Sequence, residues 1–247
     1  MRHTSGVEWR PSPNHDKRRA PIDILLLHYT GMAGEAGALK WLTMAESRVS
    51  SHYFVFSDGR VAQLVDEGRR AWHAGASEWC GDTDINSRSI GIEIANEGHA
   101  APGGMPPPFA EAQIAAVIGL CRDIVGRHGI PPHRVLAHSD VAPGRKIDPG
   151  ERFPWARLAA EGIGHWVEPV PICAGETLAR GAAGLAVEAL QGLLALYGYG
   201  LAVDGAYAEK TADVVAAFQR HFRPERIDGI ADSSTIATLC RSIEALP

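Results

Sequence analysis

Two histidines close apolar runs: His28 follows Ile24-Leu25-Leu26-Leu27, and His138 ends the segment Arg134 to Ala137. A side chain at the end of a buried strand is held rigidly at the edge of a sheet, which suits a metal ligand. Ten residues beyond His138, Asp148 lies in Arg145-Lys146-Ile147-Asp148-Pro149-Gly150, a turn stiffened by proline that can carry a carboxylate back towards the strand end. Two imidazoles and one carboxylate make a three-ligand set for a single zinc ion per chain. The fourth tetrahedral position then stays open for water, which separates catalytic from structural zinc. The same three residues also read as purely structural, and no His-Glu-x-x-His helix decides the matter. Glu93 sits between Gly91 and Ala95 on one face of an alternating segment, and Lys146 lies two residues from Asp148, so one loop can aim both at the same small volume. An ion-paired glutamate and a solvated lysine are the plain alternatives.

The elements that must position these groups are legible. Ile22 to Tyr29 is apolar on both faces apart from Asp23, which predicts a central strand covered on both sides. Ala36 to Ser47 reads as a helix. His52 to Phe56 is a strand entering an Asp58-Gly59 turn, from which Val61 to Val65 returns antiparallel. Residues 89–95 alternate with period two, placing Ile90, Ile92 and Ile94 opposite Gly91, Glu93 and Ala95. Residues 101–108 form a Pro/Gly-rich loop. Glu111 to His128 carries apolar residues at helical spacing up to a Gly129 cap, and Arg134 to His138 is a short strand. Strands interleaved with helices, plus one hairpin, predict an α/β fold with a mixed central β-sheet flanked by helices.

Near Pro169-Val170-Pro171 the pattern changes to Ala/Leu-rich helical sequence with no convincing strand. Asp204-Gly205 precedes Thr211 at the same spacing as Asp228-Gly229 precedes Thr235, an internal repeat. With helices over Leu185 to Tyr197, Thr211 to His221 and Ser233 to Ile243, this is a small C-terminal three-helix domain. The expected division is an N-terminal extension over 1–19, a mixed-sheet domain over 20–166, a linker over 167–175 and the helical domain over 176–247.

Composition narrows the function classes. The chain has 247 residues, 45% of them hydrophobic, and a net charge of −5, which offers no basic stripe for nucleic acid and excludes a disordered chain. Its longest run of Ile, Leu and Val, Ile24 to Leu27, is far short of the roughly 18–20 apolar residues of a transmembrane segment. No apolar leader is visible, so a cytoplasmic location is expected, with the periplasm or cell envelope as the alternative. The four cysteines are widely spaced and expected as free thiols.

Segments of residues 20–160 resemble, in order, the zinc-dependent N-acetylmuramoyl-L-alanine amidases, which share their fold with peptidoglycan recognition proteins. They are Leu-Leu-Leu-His28-Tyr-Thr, Val-Ser-Ser-His52-Tyr-Phe-Val, Ala-Trp72-His73-Ala-Gly, Asn86-Ser-Arg88-Ser-Ile-Gly-Ile-Glu93-Ile, Ala-His138-Ser-Asp and Arg-Lys146-Ile-Asp148-Pro-Gly. The resemblance implies zinc on His28, His138 and Asp148, Glu93 as the acid/base carboxylate, Lys146 as a cation near the scissile carbonyl, and His52, Asn86 and Arg88 as substrate contacts. The implied reaction is hydrolysis of the bond between N-acetylmuramic acid, or its 1,6-anhydro form, and L-alanine of the stem peptide. The implied partners are peptidoglycan or muramoyl-peptide fragments. A non-catalytic peptidoglycan sensor and a zinc peptidase cutting within the stem peptide are the alternatives. The duplicated Asp-Gly pattern resembles the helical peptidoglycan-binding domain appended to many cell-wall hydrolases.

Overall fold

The computed structural model of the chain describes residues 7–247, so His3 and the first six residues of the expected extension lie outside the described residues. Strands β1 (Val7–Trp9), β2 (His15–Lys17) and β3 (Ile24–Tyr29) come first, then helix α1 (Glu35–Thr43), strands β4 (Tyr53–Val55), β5 (Val61–Gln63) and β6 (Arg69–Ala71), and the short helix α2 (Ile85–Arg88). Strand β7 (Ser89–Ile94), helix α3 (Glu111–His128), strand β8 (Val135–Ala137) and helices α4 (His138–Val141) and α5 (Trp155–Ala160) complete the first unit. Six strands form one mixed sheet in the order β1-β5-β4-β7-β3-β8, and only the β4–β5 hairpin in it is antiparallel.

The period-two pattern decides what each face covers. Leu25 and Leu27 of β3, Ile90, Ile92 and Ile94 of β7 and Val135 of β8 pack against Ile114, Val117, Cys121 and Ile124 of α3 and against Trp155 and Leu158 of α5. Helix α3 ends as the sequence predicts, on Gly129 at φ 64. On the opposite face α1 covers the hairpin through Ala38 and Leu42 against Phe54 and Leu64. Ile24, Leu26 and Leu136 point to that same face but join a different cluster, discussed below.

The expected extension is part of the sheet architecture. β1 is an edge strand parallel to β5, and β2 pairs with β6. Three residues are too few to establish a hydrophobic period, and β2 is polar throughout, so these strands are not legible in the sequence.

The C-terminal residues form helices α6 (Leu185–Tyr197), α7 (Glu209–Phe222) and α8 (Ser233–Glu244), with two-residue strands β9 (Thr177–Leu178) and β10 (Ala231–Asp232) pairing antiparallel. These strands are too short to show alternation. Each copy of the repeat has a glutamine at its centre. Gln191 donates to Asp204 Oδ1, the Ala206 carbonyl and Thr211 Oγ1, and its Oε1 accepts from the Asp204 and Gly205 amides. Gln219 makes the same five bonds to Asp228, Gly229, Ile230 and Thr235. Asp-Gly spacing is visible in the sequence because it is local; the glutamines sit on the preceding helix and are not.

The two units share one core. Ile24, Leu26, Leu136 and Val141 cluster with Val187, Leu194, Val214, Phe218 and Phe222 of α6 and α7. Trp79 is fully buried, with its ring centroid 5.0 Å from that of Tyr199 and 6.0 Å from that of Tyr197. Gly198, at φ 136, makes room for it, because a Cβ there would approach the indole to 2.6 Å. Among the described residues no helix is long and apolar enough to cross a membrane, and all four cysteines are free.

Candidate active site

Parallel strands β3 and β7 run in register with His28 opposite Glu93, so both side chains leave the same face of the sheet near its C-terminal edge. On the other side of β3, Leu27 pairs with Ala137, and the next residue, His138, is the first of α4. The loop after α4 then returns Asp148, whose backbone carbonyl accepts from the Ser139 amide at 3.0 Å. Three atoms converge: His28 Nδ1 and His138 Nδ1 are 2.9 Å apart, and each is 3.0 Å from Asp148 Oδ2. All three residues are buried.

The donor chemistry fits a cation. His138 Nε2 is 3.0 Å from the Ala74 carbonyl, which can only accept, so in the tautomer with the proton on Nε2 that bond is made and the Nδ1 lone pair faces the centre, the form a bound cation requires. With the His28 proton on Nε2, that nitrogen donates to His73 Nδ1 at 3.1 Å. His73 Nε2 then donates to Ser89 Oγ at 3.3 Å, and Ser89 Oγ donates to the Ile85 carbonyl at 2.7 Å. The chain of donors ends consistently and leaves two imidazole lone pairs and a carboxylate pointing at one another. Ligand histidines with their outer nitrogen tied to protein acceptors are the usual supporting arrangement of metal sites. The near-equilateral triangle approaches the roughly 3.3 Å donor spacing of a tetrahedral site with bonds of about 2.0–2.1 Å. The cluster can therefore hold a metal ion.

Electrostatics agree. Burial pushes His28 down to about 4, and the neighbouring His138 adds to the shift. Burial opposes ionisation of Asp148, but the charge and hydrogen bonds of His138 and His28 outweigh it and hold the carboxyl well below the usual range. A neutral imidazole and an ionised carboxylate are the forms that bind metal. Glu93 moves the other way. Burial raises it well above the ordinary carboxylate value, the Asp148 charge adds to this, and Lys146 opposes it. Its Oε2 is buried with no hydrogen-bond partner.

These groups line a cleft of about 440 Å³ whose walls include Trp41, Trp72, Tyr29, Arg145 and Lys146. Lys146 makes no hydrogen bond or ion pair through its ammonium among the described residues, while Arg145 is pinned to the carbonyls of Ala74 at 2.5 Å and Ala76 at 3.0 Å. His73 and Arg145 are functional neighbours to which the sequence reading gives no role, although both lie in segments that carry the amidase resemblance. Their signals, adjacency to Trp72 and to Lys146, are too common to single them out.

The three expected substrate contacts are not brought to the cleft. His52 is fully buried, donating to or accepting from Arg18, the Arg69 carbonyl and the Gly91 amide. Asn86 Oδ1 accepts from the His73 and Ala74 amides, so it shapes the turn under the site rather than facing the cleft. Arg88 ends α2 at the N-terminal edge of β7, where it pairs with Asp23 and Asp82. Five residue steps along the strand, about 16 Å at 3.3 Å each, separate it from Glu93.

Residues 18–151 match the N-acetylmuramoyl-L-alanine amidase family and residues 183–239 match a peptidoglycan binding domain family. The N-acetylmuramoyl-L-alanine amidase AmiD of Escherichia coli K12 is 41% identical, over 87% of this chain and 80% of its own. The structure of E. coli AmiD with anhydro-N-acetylmuramic acid-L-Ala-D-γ-Glu-L-Lys superposes with a TM-score of 0.78 at 38% identity, covering 93% of this chain and 92% of that one. AmpDh3 from Pseudomonas aeruginosa in complex with anhydromuramic pentapeptide gives 0.72 at 32% identity, covering 97% of each chain.

Proposed function

The chain belongs to the N-acetylmuramoyl-L-alanine amidase family, and on that premise we propose that it hydrolyses the amide between N-acetylmuramic acid, or its 1,6-anhydro form, and L-alanine of the stem peptide, with one zinc ion held by His28, His138 and Asp148. The observation that carries this reading is the convergence of three lone-pair donors beside a buried, unpartnered glutamate oxygen in an open cleft. The anhydro-muramoyl peptides bound by the two relatives supply the substrate class.

Zinc, when bound, polarises the scissile carbonyl and brings the pKa of a water from 15.7 to near 7. Glu93 takes the proton of the attacking water and returns it to the leaving L-alanine amine, a role suited to a carboxyl that burial holds well above the ordinary carboxylate value. Lys146, free of other partners, places its ammonium at the carbonyl oxygen as negative charge develops there. Arg145 and His73 keep the Ala74 turn and the His28 ring in place. Trp41 and Trp72 offer apolar walls for the substrate.

The helical unit, residues 176–247, serves as a wall-binding module in this reading, raising the local concentration of substrate at the cleft. Co-sedimentation of the full-length Glu93→Gln chain with intact sacculi tests it, and a protein that stays in the supernatant would remove the module's role. Cell fractionation separates a cytoplasmic placement from the envelope placement that such a module favours. The activity itself is tested by product analysis on anhydro-muramoyl tripeptide. Free anhydromuramic acid plus an intact peptide beginning with L-alanine is expected, whereas a shortened peptide would mean a peptidase and no turnover would mean a sensor.

A further inference from the structure

Helix α7 of the C-terminal unit reaches the loop that carries two of the three metal donors. Asp140, two residues after His138, is 1% exposed, and its carboxylate is satisfied from both units. Oδ2 accepts from the Ala137 amide at 2.8 Å and from His221 Nδ1 at 2.7 Å, and Oδ1 accepts from the Tyr199 hydroxyl at 3.0 Å. Two of its three donors thus come from residues 59 and 81 positions away, on the other unit. The His221 ring also stacks on Trp155 of α5, with centroids 3.9 Å apart, so it holds both ends of the segment from His138 to Trp155. Near the start of α7, Asp213 lies over Gly144. A Cβ at Gly144 would collide with that carboxylate, and its φ of 80 also favours glycine. Gly144 immediately precedes Arg145 and Lys146.

We propose that the C-terminal unit is a positioning element of the active site, acting through the Tyr199 and His221 bonds to Asp140, in addition to any hold it has on the wall. The inference rests on the reading of His28, His138 and Asp148 as the metal site. The physical route is short. α4 has four residues, so the orientation of Asp140 fixes that of His138 two residues back, and the hydrogen bond from the Ser139 amide to the Asp148 carbonyl ties the second ligand to the same turn. A buried carboxylate deprived of one donor is left under-satisfied and relaxes towards another, and in a four-residue helix that movement is passed to the neighbouring residues of the turn. Asp140 itself belongs to the segment that resembles the amidases, but its partners Tyr199 and His221 lie outside the amidase match at residues 18–151.

The test uses the full-length chain and three single variants. Tyr199→Phe deletes one hydroxyl. His221→Phe keeps an aromatic ring on Trp155 without the donor, and His221→Asn restores a donor at the position of Nδ1. Zinc affinity is measured by chelator competition, the Co²⁺-substituted visible spectrum is recorded, and kcat and KM are determined on anhydro-muramoyl tripeptide. Tyr199→Phe and His221→Phe are expected to weaken zinc binding about 10-fold or more and to lower kcat with KM little changed, as for other residues that orient metal ligands. Their Co²⁺ bands should shift, and His221→Asn should recover most of the loss. A fall in melting temperature with unchanged zinc affinity, unchanged Co²⁺ bands and unchanged kcat would show a role in packing alone and overturn the proposal. If His221→Phe fails to fold, Tyr199→Phe decides by the same readouts. Failure of the wild-type chain to bind zinc would overturn the metal site itself, and with it this inference.

Discussion

Gly91→Ala is a one-carbon change that should damage a site it does not touch. Gly91 lies on β7 in extended backbone outside the left-handed region, so alanine brings no backbone strain and the effect is steric. The added Cβ would lie 2.6, 2.6 and 2.7 Å from three atoms of the His73 ring. Carbon contacts relax at about 3.5 Å, so the ring must retreat by roughly 0.9 Å. His73 is packed against His28 and His52, with centroids 5.1 and 5.5 Å away, and its Nδ1 bond to His28 Nε2 is already 3.1 Å long. Retreat breaks that bond and frees the His28 ring to turn. Overpacking of this kind costs about 1–3 kcal/mol. For a chain of this size that lowers the melting temperature by about 2–12 °C, and loss of the supporting bond weakens zinc affinity about 10- to 100-fold. Thermal unfolding and chelator competition measure the two effects. In a His73→Ala background the same Gly91→Ala change should cost almost nothing, because the clash partner is gone. Equal penalties in both backgrounds, or a Gly91→Ala chain with wild-type melting and zinc affinity, would refute the reasoning.

Lys146→Met keeps the aliphatic stem and removes the charge; kcat should fall about 10²- to 10³-fold with KM changed only a few-fold, measured by steady-state kinetics on anhydro-muramoyl tripeptide. Arg88→Ala should leave kcat and KM at wild-type values and cost about 1 kcal/mol of stability, since its ion pairs lie at the far edge of the sheet. Glu67 resists ionisation through burial, but hydrogen bonds from Arg127, His128 and Tyr53 outweigh this and put its pKa below the ordinary 4.5. Its contribution is therefore complete above that value and lost as pH falls through the lower folded value. Urea unfolding should show Glu67→Gln less stable by about 1–3 kcal/mol near neutrality, with the gap to wild type closing as the pH is lowered below the ordinary 4.5.

The parts of the site that lie on long, doubly covered elements were legible in the sequence. β3 announces itself because burial on both faces demands apolar residues, and β7 by its period-two alternation, so the histidine that closes the first run and the glutamate on the small-residue face of the second stand out. His28 and Glu93 could be placed for that reason, and α3 for the equivalent reason at helical period. Arg88 and Asn86 belong to the same matching segment as Glu93, yet sequence proximity misleads there: β7 carries Glu93 to one edge of the sheet and leaves them at the other. His52 adjoins a strand too, but its partner Arg18 lies in a stretch whose three-residue strands show no period. The docking of the helical unit was hidden most completely. Trp79 reads as one aromatic in a loop, and Asp140 as one more residue beside a histidine, because their partners Tyr197, Tyr199 and His221 are supplied by tertiary packing over 59 to 120 positions of chain.

The central claim is most directly tested by one sample taken through chelation and reconstitution, with zinc content and release of L-alanine-headed peptide from anhydro-muramoyl tripeptide followed together. One zinc per chain, loss of both signals on chelation, and their return together on adding zinc are expected, with Glu93→Gln retaining the zinc while losing the release. A chain that releases peptide without zinc, or a Glu93→Gln chain that turns over at the wild-type rate, would contradict the account.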